Sequence, residues 1–174
     1  MFQLKSGRNN RVKRIILTGC PGTGKTSIAE ELGDSLDLEV THIDREFIKN
    51  NDLDLEEDKE RKSIEVDLEK LKEILKDKKG VLDSHLLCEF GLKDSIVIVL
   101  RCETGELRKR LKNREYSKDK IMENVEAEIM DYCGEEARSN YEKVFEVDTT
   151  GKKVEETKSE CLDIIFEETS FKDA

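Results

Sequence analysis

The stretch GCPGTGKT, Gly19 to Thr26, contains residue types that bind nucleotide phosphates. It matches G-x-x-x-x-G-K-[ST] at every fixed position and lies between an apolar run and a helical pattern. Glycines let backbone N–H groups approach phosphate oxygens, and the N-terminus of the following helix favours anions. Lys25 can reach the β and γ phosphates, and the Thr26 hydroxyl can ligate Mg²⁺. The motif therefore predicts a site for ATP or GTP, against the alternative of a chance glycine-rich turn.

An acid and a histidine lie two residues apart in VLDSHLL, residues 81–87. In a strand, Asp83 and His85 would point the same way and Ser84 the opposite way. Asp83 ends a short predicted strand, where a carboxylate facing Mg²⁺ through water is expected; an ordinary turn aspartate is the alternative. His85 is either structural or positions the attacking water, contacts the acceptor, or couples hydrolysis to movement. The other histidine, His42, is predicted to be structural.

A basic segment, RKRLKNREYSKDK (residues 108–120), stands out in a chain of net charge −10. Arg110 and Arg114 are four residues apart and share one helix face. A lid with such arginines could neutralise a transferred phosphoryl group and exclude water. Solubilising surface charge is the alternative.

Composition limits the classes of function. The 174 residues, 41% of them charged, are enough for one domain with a core. The acidic balance argues against strong direct nucleic-acid binding but suits a basic protein partner. No apolar stretch approaches the roughly 18 residues of a membrane span, so no membrane association is expected. Five scattered cysteines without a CxxC pair indicate reduced thiols, and we expect a cytoplasmic protein.

Five apolar runs predict strands, and helical patterns separate most of them. The predicted strands are KRIILTG (13–19), LEVTHI (38–43), VLDS (81–84), SIVIVLR (95–101) and KVFEVDTT (143–150). Two predicted helices begin at Lys25 and at Glu103. Three more cover residues 64–77, 117–141 and 154–168, and Ser117 is the predicted N-cap of the second of these three. This alternation is typical of an α/β protein with a parallel sheet covered on both faces.

Four local expectations complete this pattern. Residues 44–63 are mostly charged and are predicted to be a solvated loop or a surface helix. Glycines are expected to end the helix 64–77, at Gly80, and to weaken the helix 117–141, at Gly134. The predicted inward side chains of the helices 64–77 and 154–168 are Ile64, Leu68, Leu71, Ile74, Leu75, Val154, Cys161, Ile164 and Ile165.

Several motifs together resemble the archaeal and nuclear adenylate kinase (isoenzyme six) family, also known as a ribosome-assembly ATPase. They are ILTGCPGTGKTS, DSH, VLR followed by LRKRLKNREYSKDKIMENVEAEI, and EEARSNY, in that order. The resemblance covers about Lys13 to Tyr141, and the block from Arg101 onward is its specific part. It implies a P-loop NTPase three-layer sandwich with a five-stranded parallel sheet and helices on both faces. In one domain, 1–174, it implies an insert that binds a nucleoside monophosphate (NMP) at about 43–66 and a short lid at about 113–123; residues 1–12 are expected to be flexible.

The family transfers a phosphoryl group from ATP, with Mg²⁺, to nucleoside monophosphates, chiefly AMP, and also hydrolyses ATP. The resemblance implies these activities here, together with a role in small-subunit rRNA maturation and ribosome assembly. The implied partners are a platform ribosomal protein of the small subunit and the pre-ribosomal particle. The predicted insert is only loosely similar to the family, so a P-loop small-molecule kinase with a non-nucleotide acceptor remains the alternative.

Motif matching assigns roles residue by residue. The ATP-binding positions are Gly22, Thr23, Gly24, Lys25, Thr26, Ser27 and the lid arginine Arg114. The predicted catalytic residues are Lys25, Asp83, His85, Arg110 and Arg114, where Asp83 and His85 match the family's aspartate–x–histidine motif. Thr26 and, through water, Asp83 are the predicted Mg²⁺ ligands. Arg45 and Arg61 are the candidates for gripping the acceptor, and Glu115 stands where the family often has glycine.

Overall fold

The computed structural model describes residues 12–58 and 63–170, which form seven strands and seven α-helices. In chain order these are β1 (Arg14–Thr18), α1 (Lys25–Leu36), β2 (Val40–His42), α2 (Arg45–Asn50), β3 (Asp54–Asp58), β4 (Ser63–Val66), α3 (Leu68–Leu75), β5 (Gly80–Asp83), β6 (Ser95–Arg101), α4 (Thr104–Asn113), α5 (Lys118–Ile129), α6 (Tyr132–Asn140), β7 (Val144–Asp148) and α7 (Val154–Ser170). The expected flexibility of residues 1–12 falls outside the described residues except at Val12, which is buried.

Five parallel strands form the central sheet in the order β2-β5-β1-β6-β7, which confirms the predicted five-stranded parallel sheet. The middle strand β1 pairs with β5 on one side and β6 on the other. In this register Asp83 at the end of β5 lies beside Leu17 of β1 and His42 of β2. The carboxyl ends of the strands therefore bring chemically active residues to one edge of the sheet.

Alternate residues of β1 pack on opposite faces of the sheet, because successive side chains of a strand point in opposite directions. Ile15 and Leu17 belong to an apolar cluster with residues of α1 and α7. Ile16 belongs to a second cluster, which includes residues of α3 and α6. Each fully buried aliphatic side chain of these clusters contributes about 1.5–3 kcal/mol. Two buried faces make the three-layer arrangement that the sequence predicts.

The described part of the charged segment, residues 44–58 and Ser63, is more structured than predicted. It contains the short helix α2, and β3 pairs antiparallel with β4 in a separate two-stranded sheet. Leu53 and Leu55, and then Ile64 and Val66, alternate with polar residues as in strands, but the density of charge in this segment favoured the prediction of a loop or a surface helix. Ile64, predicted to face inward on a helix, belongs to β4. The helix α3 begins only after Asp67, whose carboxylate accepts a hydrogen bond from Lys70 N at 3.0 Å.

The predicted roles of two glycines are corrected. Gly80 begins β5 with φ 90°, and a Cβ there would lie 2.3 Å from the Glu39 carbonyl oxygen, so its role is close backbone packing rather than helix capping. Gly134 lies within α6, while the break between α5 and α6 falls at Met130 and Asp131, whose φ is 52°.

Two predicted inward side chains are also on the surface. Ile74 and Val154 are exposed, because they lie beside the row of buried side chains on their helices and not within it. Ser117 is confirmed as the N-cap of α5, since its Oγ accepts from Lys120 N at 3.3 Å. Within the described parts of the chain, no helix combines the length and the apolar character needed to cross a membrane.

Candidate active site

The phosphate loop joins β1 to α1 through glycines with left-handed backbone. Gly19, Gly22 and Gly24 have φ values of 136°, 91° and 97°. A Cβ at Gly19 would lie 2.5 Å from the Leu100 carbonyl oxygen, whereas one at Gly24 would meet nothing within 4 Å. Gly24 occupies the N-cap of α1 without a side-chain cap. The N-terminus of α1 therefore has no side-chain cap, and an uncapped helix N-terminus suits an anion.

Lys25 is the buried first residue of α1, and its side chain binds the phosphate loop. Its Nζ donates hydrogen bonds to the carbonyl oxygens of Gly19 and Cys20, each at 2.9 Å. Desolvation lowers the pKa of Lys25, and the nearby Asp83 carboxylate acts in the opposite direction. Thr23 is also buried, and its hydroxyl donates to Cys20 O at 2.8 Å. The loop is thus held in shape around its own lysine.

Two clefts share the phosphate loop. The first, here called the insert cleft, has a volume of about 470 Å³ and lies between the loop, α2 and the segment 114–124. Its lining includes Lys25, Thr26, Ser27, Arg45, Asp83, His85, Arg114, Tyr116 and Lys120. The second, the α7 cleft, has a volume of about 350 Å³ and lies between the loop, α4 and the start of α7. Its lining includes Gly22, Gly24, Ser27, Arg110, Arg114, Thr149 and Lys152.

Asp83 is buried at the end of β5 and binds His42, the histidine that the sequence predicts to be structural. The Nδ1 atom of His42 hydrogen-bonds to Asp83 Oδ2, and its Nε2 atom lies 2.7 Å from Glu30 Oε1. Desolvation alone would lower the pKa of His42, but the two carboxylates outweigh it and raise the pKa. Burial raises the pKa of Asp83, while His42 and Lys25 oppose that shift. The signal for His42 was its place at the end of a neighbouring parallel strand.

His85 reaches the insert cleft, but not by strand alternation. β5 ends at Asp83, and His85 begins a 3₁₀ helix, His85–Cys88, whose Leu86 N donates to Ser84 Oγ at 3.1 Å. Asp83 and His85 still line the same cleft. Water reaches the imidazole from the cleft, yet partial desolvation and the charges of Lys25 and Lys120 lower its pKa. The ring is therefore neutral at pH 7 and available as a hydrogen-bond acceptor.

Arg110 and Arg114 both line the α7 cleft, but of the two only Arg114 also lines the insert cleft. Arg110 lines the α7 cleft, where its Nη1 donates to Thr149 Oγ1 at 3.1 Å and to Gly22 O at 3.4 Å. Its Nη2 donates to Thr149 O at 3.1 Å and to the Glu106 carboxylate. These contacts join α4, the phosphate loop and the segment after β7, so the structure does not bring Arg110 into the insert cleft. Arg114 ends α4 and lines both clefts.

The turn after Arg114 contains a residue in a left-handed conformation. Glu115 has φ 59°, and its backbone N–H donates to Lys112 O at 2.9 Å. This conformation favours glycine, which explains how the turn can accept either residue. The turn leads into α5, and α4 and α5 share an apolar cluster whose Leu107 and Leu111 lie against Gly22 of the phosphate loop.

We expect Glu115→Gly to raise the free energy of unfolding by about 0.5–1 kcal/mol, because glycine adopts positive φ without the steric cost of a Cβ. Glu115→Ala is the control, since it removes the carboxylate but keeps the Cβ and the strained backbone. Urea unfolding of both variants measures the difference. A glycine variant no more stable than the alanine variant would contradict the assignment of strain.

Of the two arginines predicted to bind the acceptor, the structure describes only one. Arg45 is the first residue of α2, directly after Asp44, whose carboxylate accepts from Phe47 N at 2.9 Å, and it lines the insert cleft. Arg61 lies outside the described residues. Arg45 is therefore the candidate that the structure places beside the phosphate loop.

The side chains present fit a nucleoside triphosphate with Mg²⁺. The uncapped N-terminus of α1 and the ammonium of Lys25 suit phosphate oxygens. The Thr26 hydroxyl is exposed to the insert cleft, and Asp83 ends the adjacent strand. A hydroxyl and a carboxylate are oxygen donors of the kind that Mg²⁺ prefers.

Comparisons with known proteins agree with this geometry. The model of an AAA domain matches residues 15–131. Two archaeal proteins named "Putative adenylate kinase" are similar over 87% of this chain and 85% of their own length: one from Methanocaldococcus jannaschii (38% identical) and one from Methanosarcina barkeri (42%). The adenylate kinase isoenzyme 6 homolog of Schizosaccharomyces pombe is 38% identical over 83% of this chain and 85% of its own length.

Solved structures support the fold alone. A shikimate kinase from Acinetobacter baumannii, in complex with shikimate, has a TM-score of 0.63 at 15% identity and covers 90% of this chain and 94% of its own. A deoxyadenosine kinase from M. mycoides with bound dATP has a TM-score of 0.55 at 16% identity and covers 86% and 97%. Both confirm a P-loop kinase fold. With the domain match and the identities to its curated relatives, the chain belongs to the archaeal and nuclear adenylate kinase (isoenzyme six) family.

Proposed function

We propose that this protein transfers the γ-phosphoryl group of ATP to a nucleoside monophosphate, with AMP as the preferred acceptor. One observation carries the proposal. The insert cleft joins the phosphate-loop Lys25, the strand-end Asp83, the lid Arg114 and the insert Arg45 around a single space of about 470 Å³. Donor phosphates on the loop and an acceptor phosphate near Arg45 would meet in this space.

Little covalent chemistry is needed from the protein, because phosphoryl transfer depends mainly on positioning and charge stabilisation. Lys25, now held by two carbonyl oxygens, would donate to the β and γ phosphates instead. The Thr26 hydroxyl and, through water, Asp83 would hold Mg²⁺, which neutralises phosphate charge when bound. Arg114 lines both clefts, so its guanidinium would stabilise charge on the phosphoryl group during transfer. Arg110 holds the side of the α7 cleft in place.

We propose that the same site also hydrolyses ATP. His85 lines the insert cleft as a neutral ring, and a neutral imidazole can accept a proton or a hydrogen bond from water. We place the attacking water beside His85 whenever no acceptor fills the cleft. Closure by the segment 113–123 over an acceptor would exclude that water and favour transfer over hydrolysis.

The decisive experiment measures ADP formed from ATP and Mg²⁺ with and without AMP. We expect AMP to raise ADP production well above the AMP-free rate, which reports hydrolysis alone. Equal rates with and without AMP would reject AMP as the acceptor. Replacing AMP with shikimate-like acids or sugars then tests the alternative of a non-nucleotide acceptor.

Arg45→Ala should raise KM for AMP about tenfold to a hundredfold, because a charge-assisted hydrogen bond contributes about 1.5–3 kcal/mol. Hydrolysis of ATP without AMP should change little, since Arg45 lies on the insert side of the cleft. Lys49→Ala is the matched control, because Lys49 is an exposed cation on the same helix α2. Steady-state kinetics against AMP concentration measures both. Equal KM values for the two variants would remove Arg45 from the acceptor site.

We also propose that the protein assists small-subunit rRNA maturation in the cytoplasm by docking on a platform ribosomal protein of the pre-ribosomal particle. The family resemblance and a net charge of −10, which suits a basic protein, support this role. Five free, buried cysteines are consistent with a reducing compartment. A pull-down of the platform protein with and without ATP tests it, and no association in any nucleotide state would reject it.

A further inference from the structure

We propose that His42 is a positioning residue for phosphoryl transfer, which orients the Asp83 carboxylate and is itself anchored by Glu30. This inference rests on the proposed function in one respect: Asp83 is taken to serve Mg²⁺ bound with ATP. The position of His42 is independent of that assumption, since it follows from strand register and hydrogen bonds.

The sheet places the two side chains side by side. β2 and β5 are parallel neighbours, and His42 is paired with Asp83 in their register. Through Nδ1 the imidazole binds Asp83 Oδ2, and Asp83 is only 5% exposed. A carboxylate held at one oxygen by a fixed ring has fewer rotamers available. Its other oxygen, Oδ1, is then the one available to Mg²⁺ and water in the insert cleft.

The second ring nitrogen ties this pair to the helix of the phosphate loop. Nε2 of His42 lies 2.7 Å from Glu30 Oε1, and Glu30 is on α1, five residues after Lys25. His42 thus connects β2, β5 and α1 through two side-chain contacts. Because α1 carries the phosphate loop at its N-terminus, the arrangement fixes the carboxylate relative to the loop.

His42 acts through Asp83 rather than by touching the reactants. The insert cleft is lined by Asp83 and His85, and His42 does not contribute to either cleft wall. Partners that orient a ligand of a metal typically change metal affinity or activity about tenfold to a hundredfold when removed. An effect of this size is expected on the part of ATP binding that depends on Mg²⁺.

Two substitutions of His42 by neutral amides test the two hydrogen bonds of the imidazole ring one at a time. The amide nitrogen of His42→Asn can occupy the place of Nδ1 and bind Asp83, whereas that of His42→Gln can occupy the place of Nε2 and bind Glu30. His42→Ala removes both contacts. Asparagine and glutamine carry the same charge, so a difference between these variants reports geometry at Asp83.

The readout is the affinity for a fluorescent ATP analogue with and without Mg²⁺, together with kcat and KM for phosphoryl transfer to AMP. We expect the Mg²⁺-dependent gain in affinity to fall about tenfold to a hundredfold in His42→Gln and His42→Ala. His42→Asn should keep that gain within severalfold. Affinity without Mg²⁺ should stay equal in all variants, which a general loss of structure would not produce.

A variant at Glu30 keeps the inference testable if the His42 variants fail to fold. Glu30 is largely exposed, so Glu30→Gln should fold, and it should lower the Mg²⁺-dependent gain severalfold by weakening the anchor. Thermal unfolding of each variant identifies any that fail to fold. If the His42 variants are unfolded, an unchanged gain in Glu30→Gln overturns the inference.

Failure of the inference and failure of the proposed function are distinguishable. If His42→Ala and His42→Gln bind Mg²⁺ and ATP as the native protein does, the inference is wrong, whatever AMP does. If the native protein shows the gain and the variants lose it, but AMP is not phosphorylated, the acceptor assignment is wrong and the positioning role stands. A native protein whose affinity for ATP does not depend on Mg²⁺ would overturn the inference.

Discussion

Replacing Lys25 with alanine is expected to lower kcat for phosphoryl transfer on the order of a hundredfold to a thousandfold, the range found when a single charge-stabilising donor is removed. Lys25 is the buried ammonium of the phosphate loop, and it lines the insert cleft beside Asp83 and Arg114. Without it, negative charge on the transferred group would lose the buried ammonium and would depend on Mg²⁺, backbone N–H groups and Arg114.

The same substitution should leave the fold intact. Alanine removes the Lys25 donor from the Gly19 carbonyl oxygen, which costs on the order of 1 kcal/mol for a buried group, whereas the Cys20 carbonyl oxygen keeps the hydroxyl of Thr23 as a donor. It also removes a buried charge whose desolvation is unfavourable, as the lowered pKa of Lys25 shows. These effects oppose each other, so the stability change should be small compared with the loss of activity.

Steady-state kinetics and circular dichroism of Lys25→Ala check the two halves of this prediction. Lys112→Ala is the matched control, because Lys112 is an exposed lysine of α4 that lines neither cleft. The control should keep native kcat. A Lys25→Ala protein that retained more than a tenth of native kcat would refute the assigned role, and an unfolded one would refute the expected balance of stability.

Arg101→Ala is expected to have the largest effect on stability, a loss of about 3 kcal/mol in the free energy of unfolding. Arg101 ends β6 and binds the junction of α5 and α6. Its Nε donates to Glu128 Oε1 at 2.6 Å and its Nη2 to Glu128 O at 3.0 Å, while Nη1 donates to Asp131 Oδ1 at 2.6 Å. Glu128 is only 4% exposed, so alanine would strand a buried carboxylate.

Arg138→Ala is the control for this ion-pair network. Arg138 also binds Asp131, and it reaches Glu135 and Glu146, but its side chain is 41% exposed. Exposed ion pairs contribute about 0–1 kcal/mol, so Arg138→Ala should lose no more than that. Urea unfolding of the two variants gives both values, and equal m-values would show that the denatured state is unchanged. Equal losses would mean that burial of Glu128 does not govern the network.

Local sequence was sufficient for the phosphate loop and the central sheet. The loop depends on residue type at fixed spacing, because only glycine allows the backbone of Gly19 and Gly24 and only a lysine at position 25 supplies the ammonium. The buried strands are continuous apolar runs, which nothing but burial on both faces explains. Ser117 was likewise identifiable, since an N-cap acts within its own turn.

Elements that depend on distant partners were not identifiable. The pairing of β3 with β4 joins two short segments in which the strand alternation is outweighed by a density of charge that favours a solvated loop. The α5–α6 break falls at Asp131 rather than Gly134, where Asp131 meets Arg101 and Arg138 from other elements. Propensity is a weak guide at such places, because tertiary contacts override it.

The residues of the site also fall into those that local sequence identifies and those that only tertiary contacts identify. The sequence alone determined which residues could bind phosphate and Mg²⁺, since motif, residue type and position at a strand end carry that information. Only the tertiary structure decided that His42 holds Asp83 and that Arg110 faces the α7 cleft instead of the insert cleft. The physical reason is that sheet order and helix packing join residues far apart in the chain, and these contacts leave no local pattern in the sequence.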